Sequence, residues 1–304
     1  MTLDQAGAGA ATLRLGPPPS SVRPRVEHLW VDVVRPPAGG GDVGARPGGA
    51  GSGRGWRIVS DHCSHVLYHR TRRDDGNVRH RLALVGPRTV AVDVDRSGRL
   101  LTAGVRLRPW AVPGLFDIPA GELTDRSVRL REILGEEALE LEARLGEASE
   151  EGALAVLAGW LARRPARAES AAERRARAAT ETLRRAGASC AGAARRAGIS
   201  ARALRTLMRE QVGLAPKACA RVIRLHSALR RAATAGRSVP WSRVAMASGY
   251  ADQPHLIREF RRLLGETPGA WQARAGSAPV PRDVAGARRD RVSPLRHSGA
   301  PSGA

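Results

Sequence analysis

The chain has 304 residues, of which 42% are hydrophobic, and its 50 Lys and Arg outweigh 29 Asp and Glu to give a formal net charge of +21. This length and apolar content allow two domains with packed cores and exclude a wholly disordered chain. The charge favours a polyanionic partner, nucleic acid first and an acidic membrane surface second. A GC-rich coding sequence would also raise the Arg, Ala and Gly content, so the charge alone is a weak indication.

The distribution of the charge is more informative. Residues 163–275 contain 24 Lys and Arg against 7 Asp and Glu, a net charge of +17, whereas residues 120–151 contain 4 against 10, a net charge of −6. A basic C-terminal part is suited to neutralising DNA phosphates, which makes binding strong and sensitive to salt.

The N-terminus has no basic segment followed by an apolar run, and no stretch of about eighteen apolar residues occurs in the sequence. We therefore expect a cytoplasmic protein with no membrane partner. The three cysteines, Cys63, Cys190 and Cys219, are odd in number and far apart. This spacing indicates neither a disulfide framework nor a zinc site.

The N-terminal half has the pattern of a β-rich domain. Residues 1–24, rich in Ala, Gly and Pro, are predicted to be a disordered tail. A flexible insertion is predicted at residues 36–55, which are crowded with Gly and Pro. Helical patterns at residues 127–148 and 150–162 close a domain predicted to cover residues 25–165, with a regulatory or oligomerisation role. Its strands are predicted at residues 27–34, 56–60, 63–70, 79–85, 89–94 and 100–107.

The C-terminal part, residues 166–275, has the pattern of an all-α domain. The tail at residues 276–304, rich in Pro, Ser, Gly and Arg, is predicted to be disordered. The predicted fold class is α+β: a β-rich N-terminal domain with short helices, followed by two helix-turn-helix units joined by a linker helix. The predicted C-terminal helices cover residues 167–186, 190–197, 201–212, 216–235 and 253–264.

The second helix-turn-helix unit lies in residues 239–271. Gly249 permits a sharp turn, and Asp252 can cap the following helix through its carboxylate. Apolar residues of that helix recur at i, i+4, i+7 and i+8, which predicts one buried stripe and an opposite face of Gln, His and Arg, as a reader of the major groove requires. Trp271 can fold back as an apolar plug. The stripe consists of Leu256, Phe260, Leu263 and Leu264.

The first unit pairs a supporting helix at residues 190–197 with a recognition helix at residues 201–212. Leu204, Leu207 and Met208 make the predicted buried side of the recognition helix. Gly192 lies within the supporting helix, where an interior glycine costs about 1 kcal/mol relative to alanine.

The predicted linker helix joins the two units. Its twenty residues, at about 1.5 Å each, span about 30 Å, close to the roughly 34 Å between successive major-groove segments on one face of B-DNA. One chain could therefore present two recognition helices one turn apart. The linker residues predicted to point outward are Arg221, Arg224, Arg230 and Arg231.

Residues 249–256 (GYADQPHL), followed by Arg258-Glu259-Phe260, Gly265 and Thr267-Pro268, closely resemble the second helix-turn-helix of AraC/XylS-type transcription regulators. Residues 190–212 match the first helix-turn-helix of that family more loosely. The resemblance implies a bacterial, sequence-specific transcription regulator that binds about two turns of double-stranded DNA.

By position in the motif, the resemblance also implies which side chains face the bases. Pro254 among them offers only apolar contact, for instance with a thymine methyl. Arg209, Arg261 and Arg262 lie further along the two helices and are expected to contact phosphates. The implied base contacts come from Arg202, Arg205, Thr206, Gln253, Pro254, His255 and Arg258.

Several short segments of the N-terminal half resemble a module that accompanies some AraC-like regulators, which implies a sensory or oligomerisation role. They are Ser60-Asp61 with the strand after it, and residues 85–89 (VGPRT), 104–109 (GVRLRP) and 122–125 (ELTD).

One cluster leaves a different chemistry open. On a strand, Cys63, His65 and His69 would share a face, so a redox- or metal-responsive regulator, or a DNA-repair methyl-acceptor protein using Cys63, is the alternative. Zinc would need a fourth ligand that the sequence does not supply, and we predict no metal and no cofactor.

Catalytic motifs are absent: there is no Gly-rich phosphate loop, no HExxH and no Gly-x-Ser-x-Gly, so we predict no enzyme. A third alternative is a nonspecific basic nucleic-acid binder. The sequence leaves open contact with RNA polymerase, a small-molecule effector, and the choice between a monomer and a homodimer.

Overall fold

The computed structural model describes residues 11–34, 55–72, 75–95, 98–165, 167–185, 187–235 and 239–275. Residues 1–10 and 276–304, predicted as tails, and residues 36–54 of the predicted insertion lie outside this range. The fold is α+β as predicted, with a sheet domain followed by an all-α domain that contains both helix-turn-helix units. Within the described residues, no helix combines the length and apolar character needed to cross a membrane.

The N-terminal domain is built on an antiparallel sheet of six strands in the order β1-β2-β7-β4-β5-β8, and β3 pairs with β6 in a separate two-stranded sheet. Alternate residues of the central strands, such as Val66 and Tyr68, are fully buried because successive side chains point to opposite faces. The strands are β1 (Ala11–Gly16), β2 (Val26–Val34), β3 (Gly55–Ile58), β4 (His65–Arg72), β5 (Val78–Val85), β6 (Val92–Asp95), β7 (Arg99–Leu107) and β8 (Ser127–Arg129).

Two segments differ from the sequence prediction. Residues 11–16, predicted as part of the disordered tail, form edge strand β1, in which Leu13 pairs with Asp32 and Leu15 with Trp30. Residues 127–129, predicted as helix, form the opposite edge strand β8 against β5. Both strands depend on backbone pairing with distant residues, and such pairing overrides local propensity.

Short helices cover the sheet. They are α1 (Val112–Phe116), α2 (Arg131–Leu134), α3 (Glu136–Glu147) and α4 (Glu150–Ala162). Leu145 of α3 and Leu157 and Trp160 of α4 are buried in the same core as the strands. Ser149 fixes the start of α4, because its hydroxyl accepts a hydrogen bond from Gly152 N at 3.1 Å.

The remaining helices form the C-terminal domain, and four of them have the predicted bounds. The first is shorter than predicted, because Ser170 and Glu173 form a reciprocal capping box at its N-terminus. The helices are α5 (Ala171–Leu183), α6 (Cys190–Ala197), α7 (Ala201–Val212), α8 (Pro216–Ala235), α9 (Trp241–Ala247), α10 (Gln253–Leu264) and α11 (Pro268–Ala275).

The two helix-turn-helix units have separate hydrophobic cores, and the N-terminal domain contributes to each. Trp110 is buried with α5, α6 and α7 in the core of the first unit. Val59 is buried in the core of the second unit with the stripe of α10 and with Trp271. The burial of Trp271 confirms the predicted apolar plug.

Candidate nucleic-acid interface

The N-termini of both predicted recognition helices are fixed by local side-chain caps. Ser200 Oγ accepts a hydrogen bond from Ala203 N at 3.2 Å at the start of α7. Asp252 Oδ1 accepts one from His255 N at 2.6 Å at the start of α10, as predicted. Gly249 has φ +81 in the turn before α10, a conformation that side-chain-bearing residues rarely adopt.

The buried sides of these helices follow the predicted periodicity. Leu204 and Met208 of α7 are buried, while Leu207 is half-buried at the edge of the core. All four residues of the predicted α10 stripe are buried in the core of the second unit. Gly192 lies in the first turn of α6, where its N–H donates to Ser189 Oγ at 3.0 Å, rather than in the helix interior.

The opposite side of α7 is open to solvent. The residues that the family motif assigns to the bases lie in its first two turns, and Arg209 lies one turn further along. All four side chains are exposed: Arg202, Arg205, Thr206 and Arg209.

The exposed side of α10 is similar except at one position. His255 is half-buried, its ring packs edge-on against Tyr250 with centroids 5.3 Å apart, and Ala251 N donates to its Nδ1 at 3.4 Å. In the neutral ring this bond places the proton on Nε2, which is left as a donor. The exposed side chains are Gln253, Pro254, Arg258, Arg261 and Arg262.

Linker helix α8 is tied to the second unit by side chains that were predicted to point outward. Arg221 donates to both carboxylate oxygens of Glu259 on α10 at 2.6 and 3.0 Å, and both side chains are mostly buried. Arg224 lies over the ring of Tyr250, with its guanidinium carbon 5.8 Å from the ring centre. The outward prediction is therefore wrong for these two arginines, and it fails because their partners are distant in sequence. Arg231 is exposed as predicted, while Arg230 is half-buried.

These two contacts are the functional features that sequence reasoning missed. Glu259 is the single acidic residue of α10, and an acid within an otherwise basic helix was the available signal. The identity of its partner, 38 residues earlier, is not encoded by any local spacing. A bidentate Arg–carboxylate pair restricts orientation as well as distance, so the pair fixes how α10 lies on α8.

The Cys63 cluster has a different geometry from the predicted one. Strand β4 begins at His65, so Cys63 lies in the bend before it. His65 Nε2 lies 3.1 Å from Asp61 Oδ2, and His69 Nδ1 lies 3.1 Å from Thr102 Oγ1. The three predicted residues therefore do not share one site.

Cys63 is instead grouped with Asp61 and His62, and the possible ligand atoms of these three buried residues lie within 4.8 Å of one another. Asp61 is already engaged, because its carboxylate accepts hydrogen bonds from Arg106, from His65 and from Cys63 N. A carboxylate offers about four acceptor positions. The filled positions and the charge of Arg106 disfavour a cation here.

A reactive thiolate at Cys63 is also disfavoured. The residue is 2% exposed, and burial raises the pKa of its thiol well above the usual value. All three cysteines are free, and Cys190 is the most accessible of them.

Alkylation of the native protein is therefore expected to modify Cys190 and to spare Cys63 and Cys219. Burial raises the pKa of the Cys219 thiol to about 12, so neither buried residue presents a thiolate near neutral pH. Iodoacetamide treatment followed by peptide mass spectrometry, with and without denaturant, measures this difference. Modification of Cys63 in the native protein at the rate of Cys190 would support the thiol-based alternative.

Comparison with known proteins agrees with this geometry. A helix-turn-helix domain family matches residues 193–274, and a domain of unknown function (DUF6597) matches residues 16–129. The HTH-type transcriptional regulator GlxA of Rhizobium meliloti (strain 1021) is 38% identical over 84 residues. That match covers 28% of this chain and 25% of the regulator, so the chain spans about a quarter of the length of this relative.

Two solved structures of ToxT from Vibrio cholerae share a loose likeness. One covers 72% of this chain and 97% of ToxT at 10% identity with a TM-score of 0.37, and the other, from strain O395, covers 74% and 95% at 10% identity with a TM-score of 0.38. This similarity is too low to support any conclusion about the present chain.

The C-terminal domain is thus a double helix-turn-helix domain of the class found in HTH-type transcriptional regulators. The AraC/XylS-type motif of residues 249–268 lies within the matched helix-turn-helix domain.

Proposed function

We propose that this protein is a sequence-specific DNA-binding transcription regulator that reads two successive major-groove segments with α7 and α10. The observation that carries the proposal is the shared design of these helices. Each is buried along one side in its own core and exposes polar and basic side chains from its first turns on the other. A recognition helix reads bases from its N-terminal part in this way.

In the first unit, Arg202 and Arg205 supply guanidinium groups suited to guanine O6 and N7, and Thr206 supplies a hydroxyl and a methyl group. All three side chains are exposed, and the contacts of α7 with the N-terminal domain described below involve its C-terminal end. We therefore expect these exposed residues of α7 to be accessible to DNA.

In the second unit, Gln253 suits adenine N6 and N7, Arg258 suits guanine, and Pro254 suits a thymine methyl. His255 contributes a donor at Nε2 from a ring held by Tyr250 and Ala251. A pre-ordered ring loses less conformational entropy on binding than a free one.

The spacing of the two units supports one molecule contacting two grooves. Helix α8 has 20 residues, which at about 1.5 Å each span about 30 Å, against roughly 34 Å per turn of B-DNA. The Arg221–Glu259 pair holds α10 against the N-terminal part of this helix.

Substitutions on the exposed faces distinguish base reading from phosphate contact. In Arg205→Ala and Arg258→Ala, we expect a loss of about 1 to 3 kcal/mol on the preferred sequence and a relaxed preference at one base pair. Arg262→Ala should weaken all sequences alike and reduce the salt dependence by about one phosphate contact.

The measurement is a selection from random double-stranded DNA followed by titration of the selected and scrambled fragments at several salt concentrations. A nonspecific basic binder would enrich no sequence, and all three variants would then lose affinity uniformly. That result would refute the proposal.

Other partners stay predictions. Contact with RNA polymerase, a small-molecule effector and a homodimer formed through the N-terminal domain are compatible with this function. For the alternative that uses Cys63, the burial of the thiol and the engagement of Asp61 give no specific support.

A further inference from the structure

Two loops of the N-terminal domain, which contain motifs singled out in the sequence, are tied to each other. We define them as the Pro87 loop (residues 86–91) and the Thr124 loop (residues 120–126). Thr89 N and Thr89 Oγ1 donate to the two carboxylate oxygens of Asp125 at 2.8 and 2.7 Å. Asp125 N donates to Pro87 O at 2.9 Å, and Gly86 N donates to Arg126 O at 3.1 Å. The two loops therefore behave as one cross-linked element.

Asp125 adopts a left-handed backbone conformation with φ +58. Such a conformation is costly for most residues but tolerated by Asp and Asn. It is maintained here by the hydrogen bonds of the carboxylate and of the backbone amide. Backbone strain held by its surroundings in this way is common at functional positions.

The Thr124 loop contacts the C-terminal end of recognition helix α7. Thr124 Oγ1 donates to Gly213 O, directly after α7, at 2.5 Å. Gly213 has φ +81, and a Cβ at this position would lie 2.7 Å from Pro87 Cγ and 2.8 Å from Ala120 O. A Cβ on Gly121 would lie 3.0 Å from Arg209 O. Gly213 is needed for this close approach, and Gly121 leaves little room for a larger residue.

The Pro87 loop contacts the C-terminal end of recognition helix α10. Ala91 N donates to Leu263 O at 2.7 Å, and Ala91 packs against the core of the second unit. The last-turn carbonyls of a helix have no partner within the helix, so this amide supplies one of the missing donors. Each recognition helix is thus held at its C-terminal end by one of two cross-linked loops.

This arrangement matters because the two units have separate cores. Their relative orientation is not set by one shared interior, and a helix of 20 residues such as α8 can bend gently. Helix α8 contributes residues to both cores, and contacts from a common element to both recognition helices add a second constraint on their separation.

We propose that Thr89, Thr124 and Asp125 are positioning residues for DNA recognition: the cross-linked loops hold α7 and α10 at a fixed separation and so set the half-site spacing that the protein accepts. This proposal rests on the proposed function and deepens it, because it gives the N-terminal domain a role in reading DNA.

The test uses substitutions that remove one hydrogen bond and keep the side-chain shape. Thr124→Val removes the contact with Gly213, and Thr89→Val removes one of the two bonds to Asp125. Asp125→Asn is a second route that preserves tolerance of the left-handed backbone. Thr182→Val is the matched control, because Thr182 Oγ1 donates to Ala178 O within α5 and does not contact either loop.

The first measurement needs no DNA. Spin labels are placed at the exposed positions Glu210 on α7 and Arg262 on α10 in a Cys190→Ser background, and the distance between them is measured by pulsed electron paramagnetic resonance. We expect a single narrow distance distribution in the parent and in the control, and a broader one in Thr124→Val and Thr89→Val. Identical distributions in all four proteins would overturn the positioning role.

The second measurement uses the selected DNA sequence with one or two base pairs added between the half-sites. We expect the parent and the control to lose affinity about tenfold or more, and the loop variants to lose less than about threefold. Binding to a single half-site should be equal in all proteins, a result that general destabilisation would not give. If the parent binds DNA of every half-site spacing with the same affinity, the two-groove function is refuted, and the claim about half-site spacing with it. If the parent prefers one spacing and the loop variants keep the same preference, only the positioning role is refuted.

Discussion

Arg106→Met is expected to lower the free energy of unfolding by about 3 to 5 kcal/mol, because it leaves a buried carboxylate without its counter-charge. Arg106 Nη1 and Nη2 donate to the carboxylate of Asp61 at 2.6 and 3.1 Å, and each side chain of the pair is 8% exposed. Burial raises the pKa of Asp61, but the charge of Arg106 and the hydrogen bond from His65 outweigh it and hold the pKa well below its usual range.

The pH dependence of this effect has a definite sign. In the wild type the folded pKa of Asp61 is lowered, so its contribution to stability is present above the unfolded pKa and is lost as pH falls through the folded value. Without Arg106, burial dominates and raises the folded pKa of Asp61 above its unfolded value. The folded state of the variant therefore loses stability as pH rises, because the buried carboxyl must then ionise. The decrease in the free energy of unfolding caused by Arg106→Met should therefore be smaller at acidic pH than at neutral pH.

Urea unfolding of the single and double variants measures both effects. The double variant Asp61→Leu with Arg106→Met should lose less unfolding free energy than the sum of the single variants, because both charges of the buried pair are removed together. Glu27, which also accepts from Arg106 Nε at 3.0 Å, is 38% exposed and can be solvated. Arg14→Met is the control: its partner Glu151 and Arg14 itself are 75% and 42% exposed, so the loss should be about 1 kcal/mol or less. Additive losses at the buried pair would contradict this account of Asp61.

Glu173→Gln is expected to cost a similar amount, about 3 to 5 kcal/mol, at the junction of the two domains. Glu173 Oε1 accepts from Arg25 Nε at 2.7 Å, Oε2 accepts from Arg25 Nη2 at 2.9 Å, and the side chains are 3% and 5% exposed. The substitution leaves the Arg25 guanidinium buried without its counter-charge and also weakens the capping box of α5. A Cβ on Gly114 would lie 2.3 Å from Glu173 Oε1, so the pair has little room to rearrange.

The pH profile provides an independent check on Glu173. Burial raises its pKa, but the hydrogen bonds from Arg25 and Ser170 outweigh this and lower it below the usual value. The stability that Glu173 contributes is therefore fully present above its unfolded pKa and is lost as pH falls through its folded pKa. The Gln variant should lack that part of the acid destabilisation. Glu169→Gln is the control, because the Glu169–Arg177 pair is more exposed; an equal loss in both variants would contradict the prediction.

The C-terminal helices could be predicted from the sequence because their ends are set locally. Ser200 and Asp252 cap α7 and α10, glycines follow both helices, and the apolar residues recur with helical spacing. The same local signals were enough to identify which faces of these helices are exposed.

The remaining features depend on residues that are distant in sequence. Strand β1 was missed because its pairing with β2 is not visible in an Ala- and Gly-rich segment, and β8 because three residues give no periodicity. The partner of Arg221 lies 38 residues away within the C-terminal domain, and the contacts of Thr124 and Ala91 arise only when the two domains pack together. Sequence thus predicted which faces of α7 and α10 are exposed, while the placement of these helices relative to each other required the structure.

The most direct test of two-groove reading is a hydroxyl-radical footprint of the protein on its selected DNA, with stoichiometry measured by native mass spectrometry. One protein molecule is expected to protect two patches on one face of the duplex, about 10 base pairs apart. A single protected patch, or two patches that require two molecules, would contradict it.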